Sequence, residues 1–139
     1  MFDLALDHAL GHDQDIAAAL VEAQLRELML AYYRHLLRHR WACQVVAMRA
    51  PRGPNYLQLS ERICVLLKDA GTPDPLSTAY ALSNYVIGSA ATATVADERA
   101  APINPDIAPL YAHLHIHHNV DPESILNRSL TTLASEQGR

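Results

Sequence analysis

Apolar residues recur at every third or fourth position along most of the chain, and no stretch of useful length alternates them with polar ones. A half-buried strand needs a period of two, so this spacing confines the chain to packed helices. Val21, Leu25, Leu28, Tyr32 and Leu36 trace one stripe, which predicts a single helix over residues 16–38 with Asp15 as its N-cap. Trp41, Val45 and Met48 repeat the pattern briefly, until Pro51-Arg52-Gly53-Pro54 forces a turn. Tyr56, Leu59, Ile63, Leu66 and Ala70 form the next stripe, and Gly71 stands where a left-handed residue ends a helix.

Asp74-Pro75 is a helix start: a capping carboxylate followed by a proline, whose missing N–H costs nothing in the first turn. The same device recurs at Asn104-Pro105 and at Asp121-Pro122-Glu123, and Ile125, Leu126, Leu130 and Leu133 line the last helix. From Gly88 to Ala96 nearly every residue is small, so that helix end is flat and needs a cover. The first ten residues, MFDLALDHAL, are also helix-like and stop at Gly11. The expectation is one all-α domain of six or seven helices.

Composition narrows the function. The 139 residues are 50% hydrophobic, which supports a core without disulfides or metal. A net charge of −4 leaves no electrostatic footprint for nucleic acid. Cys43 and Cys64 both lie inside apolar helical patterns, as buried free thiols of a reducing compartment do. No secretory leader or membrane-length apolar run is visible, so a cytoplasmic protein with no membrane partner is expected.

Catalytic signals are thin. There is no glycine-rich phosphate loop, no nucleophile elbow and no HExxH, and no enzyme is expected. His113 and His117, in HLHIHHN, share a helix face at a spacing that can hold zinc, nickel or copper, but no cysteine or well-spaced carboxylate completes a site. A polar, partly exposed loop or helix end accounts for them better, and no cofactor is expected. YYRHLLRHR carries Arg34, His35, Arg38, His39 and Arg40, which fit the solvated side of a helix whose basic end complements its dipole.

In order, YYRHLLRHRWACQVVAMRAP, NYLQLSERICVLLKDAG and AYALSNYVIG resemble the C-terminal regulatory domain of tetracycline-repressor-family transcriptional regulators, and the resemblance runs over residues 1–137. It implies a helical bundle with an internal cavity bordered by the short helix and the proline turn, and a small-molecule effector inside. It carries Tyr32, Val46, Arg49 and Pro51 to pocket positions, and Leu59, Arg62 and Ile63 to the opposite wall. Met48 and Trp41 join them from the residue reading, as an adaptable thioether and a large ring suited to an apolar ligand. Relatives that recognise a tetracycline–magnesium chelate place polar ligands where this chain has Leu28 and Val46, so a mostly apolar effector is expected instead.

The resemblance also implies a homodimer joined through a four-helix interface of residues 75–98 and 122–136. Ala90, Ala91, Ala93 and Thr94 on one helix, with Leu126, Leu130 and Leu133 on the other, are the expected contacts. Such regulators read DNA through an N-terminal helix-turn-helix. Residues 1–30 hold Asp3, Asp7, Asp13, Asp15, Glu22 and Glu27 against Arg26 alone, the wrong charge for a recognition helix. Residues 1–139 are therefore expected to be the ligand-binding and dimerisation domain, with DNA contacted only through a missing N-terminal domain. Two other classes stay open: a helical adaptor that binds a protein partner without a small ligand, and a metal-dependent enzyme built on the histidine cluster.

Overall fold

The stripe expected to run unbroken through residues 16–38 is two helices. In the computed structural model, which describes residues 2–95, 101–118 and 120–137, Ala23 and Gln24 take extended backbone. They separate α2 (Gln14–Glu22) from α3 (Leu25–Arg38) and shift the phase between them. Ile16 and Ala19 carry the buried face of α2, while Val21 is 76% exposed. The N-cap also moves, because the helix starts earlier: the Asp13 carboxylate, not Asp15, accepts the Asp15 and Ile16 amides at 3.0 and 3.2 Å.

Asp13 does more than cap. Its Oδ2 accepts from Nδ1 of His35, fully buried on α3, at 2.8 Å, and from the Arg38 guanidinium. A carboxylate can only accept, so Nδ1 carries the imidazole proton, and the buried Nε2 has no partner among the described residues. Burial pushes His35 below the ordinary histidine range, more than the Asp13 contact raises it. Burial would raise the Asp13 carboxyl, but the hydrogen bonds from Arg38, His35 and the Ile16 amide outweigh it and hold it low.

The other helices are α1 (Phe2–Gly11), α4 (Arg40–Met48), α5 (Pro54–Asp69), α6 (Pro75–Thr92), α7 (Pro109–His117) and α8 (Pro122–Gln137), with a 3-10 turn at Ala93–Val95. The described residues thus form eight α-helices and no strand, one helix beyond the sequence expectation because of the break at Ala23–Gln24. α3 is the hub: it packs on α2, α4, α5, α6 and α8, and Leu28, Met29, Tyr33 and Leu36 are at most 1% exposed. Removing such a side chain to alanine typically costs about 2–5 kcal/mol.

Two proline starts act as expected. Asp74 accepts the Ser77 amide at 3.1 Å, and Asp121 accepts the Ser124 amide at 3.3 Å. The third does not: Asn104 closes only a turn, with its side chain on the Asp106 amide at 2.9 Å, and α7 begins later, at Pro109. Gly71 has φ +84°, and the bonds Gly71 N to Lys68 O and Thr72 N to Leu67 O, both 3.0 Å, close α5 with a left-handed cap.

The other end of α5 is capped from outside. Gly53 is its N-cap and has no side chain to offer, and Pro54 has no N–H. Asp7 on α1 fills the role: Oδ2 accepts the Asn55 amide at 3.2 Å and Oδ1 the Tyr56 amide at 3.0 Å. Among the described residues no helix is long and apolar enough to cross a membrane.

Candidate functional site

The proline turn between α4 and α5 forms the lip of a half-enclosed cavity of about 520 Å³. Its walls come from α3, from the end of α4 and the turn, from α5, and from α6. Of the residues expected there, Tyr32, Val46, Met48, Arg49, Pro51 and Ile63 line it. Tyr32 and Ile63 are buried at its base, and Met48 is 81% exposed at its mouth.

Three expected residues do not reach it. Leu59 is 2% exposed in the core: it shares a face of α5 with Tyr56 and Ile63 but packs at the edge of that face, outside the lining. Arg62 stands two residues beyond Ser60, roughly 200° round the helix, and its Nε is buried without a partner. Trp41 points to a different place, an open groove of about 700 Å³ shared with His8, His12, Arg38 and His39. The stripe Trp41–Val45–Met48 is thus not the inner face of α4; Ala42 and Cys43 are.

The sequence reading missed the whole α6 wall. Leu76, Tyr80, Ser83 and Ile87 line the cavity at spacings of four, three and four, a signal present in the sequence but masked by the composition of that helix. Tyr56 was also missed as a lining residue, having been assigned only to the apolar stripe. Its ring meets that of Tyr32 edge-on, with centroids 6.2 Å apart, and its hydroxyl is buried beside the Tyr32 phenol. Burial pushes the Tyr32 phenol up to about 12 and raises Tyr56 as well, so both present neutral O–H groups.

Polarity is uneven across the lining. The deep part is apolar with phenol, Ser83 and Asn84 groups; the mouth carries Arg49 and Arg52. Arg49 makes an exposed ion pair with Asp3 of α1 at 3.1 Å. The thiol of Cys64 also faces this space, whereas Cys43 is buried with its Sγ 3.9 Å from the Leu36 carbonyl, and burial raises its pKa.

The expected interface residues divide. Ala90, Leu126 and Leu130 are 3%, 0% and 2% exposed within the protomer, so they serve its own core instead of facing outward. The reason is that α8 packs on α3 and α6, pinned at its edges by Arg26–Asn127 at 2.8 Å, Arg34–Glu123 at 2.6 Å and Tyr85–Ser129 at 2.9 Å. Ala91 is exposed and Ala93 half-buried; the side chains of Thr94 and Leu133 lie outside the described residues. The outward side of α6 is instead Ala81, Tyr85, Gly88 and Ala91, where a Cβ on Gly88 would meet nothing within 4 Å.

The His113 and His117 rings lie side by side on α7, centroids 4.5 Å apart and planes tilted by 58°. Among the described residues no group of three or more histidines, cysteines or carboxylates converges as metal donors.

The family model described as "Tetracyclin repressor-like, C-terminal domain" matches residues 20–108. An HTH-type transcriptional regulator from Saccharopolyspora erythraea is 34% identical over 108 residues, which cover 68% of this chain and 42% of the relative. The chain therefore spans less than half of the relative it matches. No solved structure matches it.

Proposed function

The chain belongs to the family of tetracyclin repressor-like C-terminal domains, and from that premise we propose that residues 1–139 are the effector-binding and dimerisation domain of a transcriptional repressor. The cavity behind the α4–α5 turn is the effector site, and the effector is a small, mostly apolar molecule. The observation that carries this reading is the cavity itself: about 520 Å³, within the range of small-molecule sites, with apolar walls and a few polar groups. A helical adaptor without a ligand has no reason to leave that space unfilled.

The domain acts by binding, not by catalysis, in keeping with its family of regulators. Effector in the cavity shifts α1, which is tied to the lip by Asp3 and Asp7. The DNA-reading part of the working protein lies outside residues 1–139, as the partial coverage of the relative suggests. Two copies pair through the outward sides of α6 and α8, with Gly88 and Ala91 at the close approach and Ile125 at the margin. Binding switches the protein only because it favours one arrangement of α1 over another. The protein works in the cytoplasm.

The test uses the neutral dye N-phenyl-1-naphthylamine, whose fluorescence rises in an apolar site. The wild-type chain should bind it saturably, and Ser83→Trp, which drives a ring into the cavity, should weaken binding at least tenfold while leaving the far-UV spectrum unchanged. Equal binding by the two proteins would remove the cavity as the site.

A further inference from the structure

Building on the cavity as effector site, we propose that the effector is an anionic amphiphile, whose acidic group takes Arg49 and Arg52 at the mouth and displaces Asp3 of α1 from Arg49, while its apolar body fills the space between α4, α5 and α6.

The charge pattern is the first support. The chain is net acidic, at −4, yet among the described residues the only permanently charged side chains lining the cavity are two arginines, with no carboxylate, lysine or histidine beside them. A cationic ligand would find no counter-charge there, and a wholly apolar one would leave both guanidinium groups without a role. Arginine suits this task because its planar fork matches a carboxylate.

The second support is what these arginines now hold. Arg52 meets only the neighbouring Pro51 carbonyl, at 3.2 Å, among the described residues. Arg49 holds Asp3 at 3.1 Å with both side chains more than half exposed, an arrangement of weak net energy that an incoming carboxylate can exchange for itself. Depth supplies the third. The inner end is closed by the paired phenols of Tyr32 and Tyr56 and by Ile63, a floor that suits the apolar end of a ligand and leaves its charged group to the mouth. Between the two ends, Met48, Leu57, Leu76 and Tyr80 form an exposed apolar rim, the surface an alkyl or aryl body covers.

Such a ligand also reads out its own presence. α1 is held to the lip at two places, Asp3 on Arg49 and Asp7 on the start of α5. Competition for Arg49 frees the first and leaves the second, so the N-terminal end of α1 loosens while the rest of the helix stays docked.

The probe pair is decanoate and decan-1-ol, which share a chain and differ in charge, each displacing N-phenyl-1-naphthylamine from the intact chain. Decanoate should displace the dye at a concentration at least tenfold lower than decan-1-ol. Arg49→Gln combined with Arg52→Gln should weaken decanoate about tenfold relative to decan-1-ol measured on the same variant; both arginines are at the surface, so the fold survives. Asp3→Asn should strengthen decanoate two- to threefold with no effect on the alcohol. If acid and alcohol compete equally, or if the arginine variant treats decanoate as the wild type does, the anionic effector is overturned while the apolar effector site stands. If neither probe displaces the dye and Ser83→Trp still binds it, the site itself is wrong, and this inference falls with it.

Discussion

Replacing Asp7 by alanine tests whether one carboxylate on α1 organises the lip of the cavity. Asp7 is 8% exposed and takes both free amides of the first turn of α5, at Asn55 and Tyr56, while the Asn55 side-chain amide adds a third bond at 3.0 Å. Loss of an N-cap acceptor costs about 0.5–2 kcal/mol. Leaving the Tyr56 N–H buried and unpaired costs about 1–3 kcal/mol. These overlap, since the same bonds are counted in both, so the expected loss is roughly 1–3 kcal/mol. For a chain of this size that lowers Tm by roughly 3–12 °C. Urea denaturation followed by far-UV circular dichroism, at fixed protein concentration, measures it. A second substitution isolates the contact. A Cβ on Gly53 would lie on the Asp7 carboxylate, so Gly53→Ala should destabilise the wild type and do so less in Asp7→Ala. A loss below about 0.5 kcal/mol for Asp7→Ala, or strict additivity of the two changes, would refute the reasoning.

Further outcomes follow from other parts of the fold. Because the folded pKa of His35 lies below its unfolded value of 6.5, the unfolded chain takes up that proton first. Stability should therefore fall as pH drops below about 6.5, by up to about 1.4 kcal/mol per pH unit, until the folded pKa is reached, and His35→Gln should flatten the slope in pH-dependent urea titrations. Asp13, held low, adds its own loss only below its unfolded value of 3.8. Gly88→Arg should leave the protomer folded, since nothing lies near its added side chain, and convert a dimer to monomer in light scattering; an unchanged mass would move the interface off α6. Gly71→Ala, at φ +84°, should lose about 1–2 kcal/mol in thermal denaturation.

Helix identity was legible because each stripe is long enough for its period to show, and because Asp74, Asp121 and Gly71 mark ends by local chemistry alone. The break at Ala23–Gln24 was not, since neither residue forbids a helix and the chain opens there for tertiary reasons: the Asp13–His35–Arg38 cluster joins residues up to 25 apart in sequence. Asn104-Pro105 misled for the opposite reason. A side chain that caps a turn and one that caps a helix look alike until the following residues are placed.

The resemblance carried Tyr32, Val46, Arg49, Pro51 and Ile63 to positions that line the cavity, while Leu59 and Arg62 fall outside the lining: Leu59 follows the stripe but is buried in the core, and Arg62 lies on another side of α5. The same ambiguity sent Leu126 and Leu130 to an interface when they belong to the core. An apolar stripe says that a face is covered, not by what: a helix in the same protomer and a helix in a second copy present the same demand to the sequence. What the sequence could not express at all is the junction of α1 with the lip. Asp3 and Asp7 read as surface acids on an amphipathic helix, yet one holds Arg49 across 46 positions and the other caps α5 across 49. Those two contacts connect the cavity to the N-terminal helix. On the proposed reading they also give the acids of residues 1–30 a use away from DNA: they make α1 the element whose position an anion in the cavity would change.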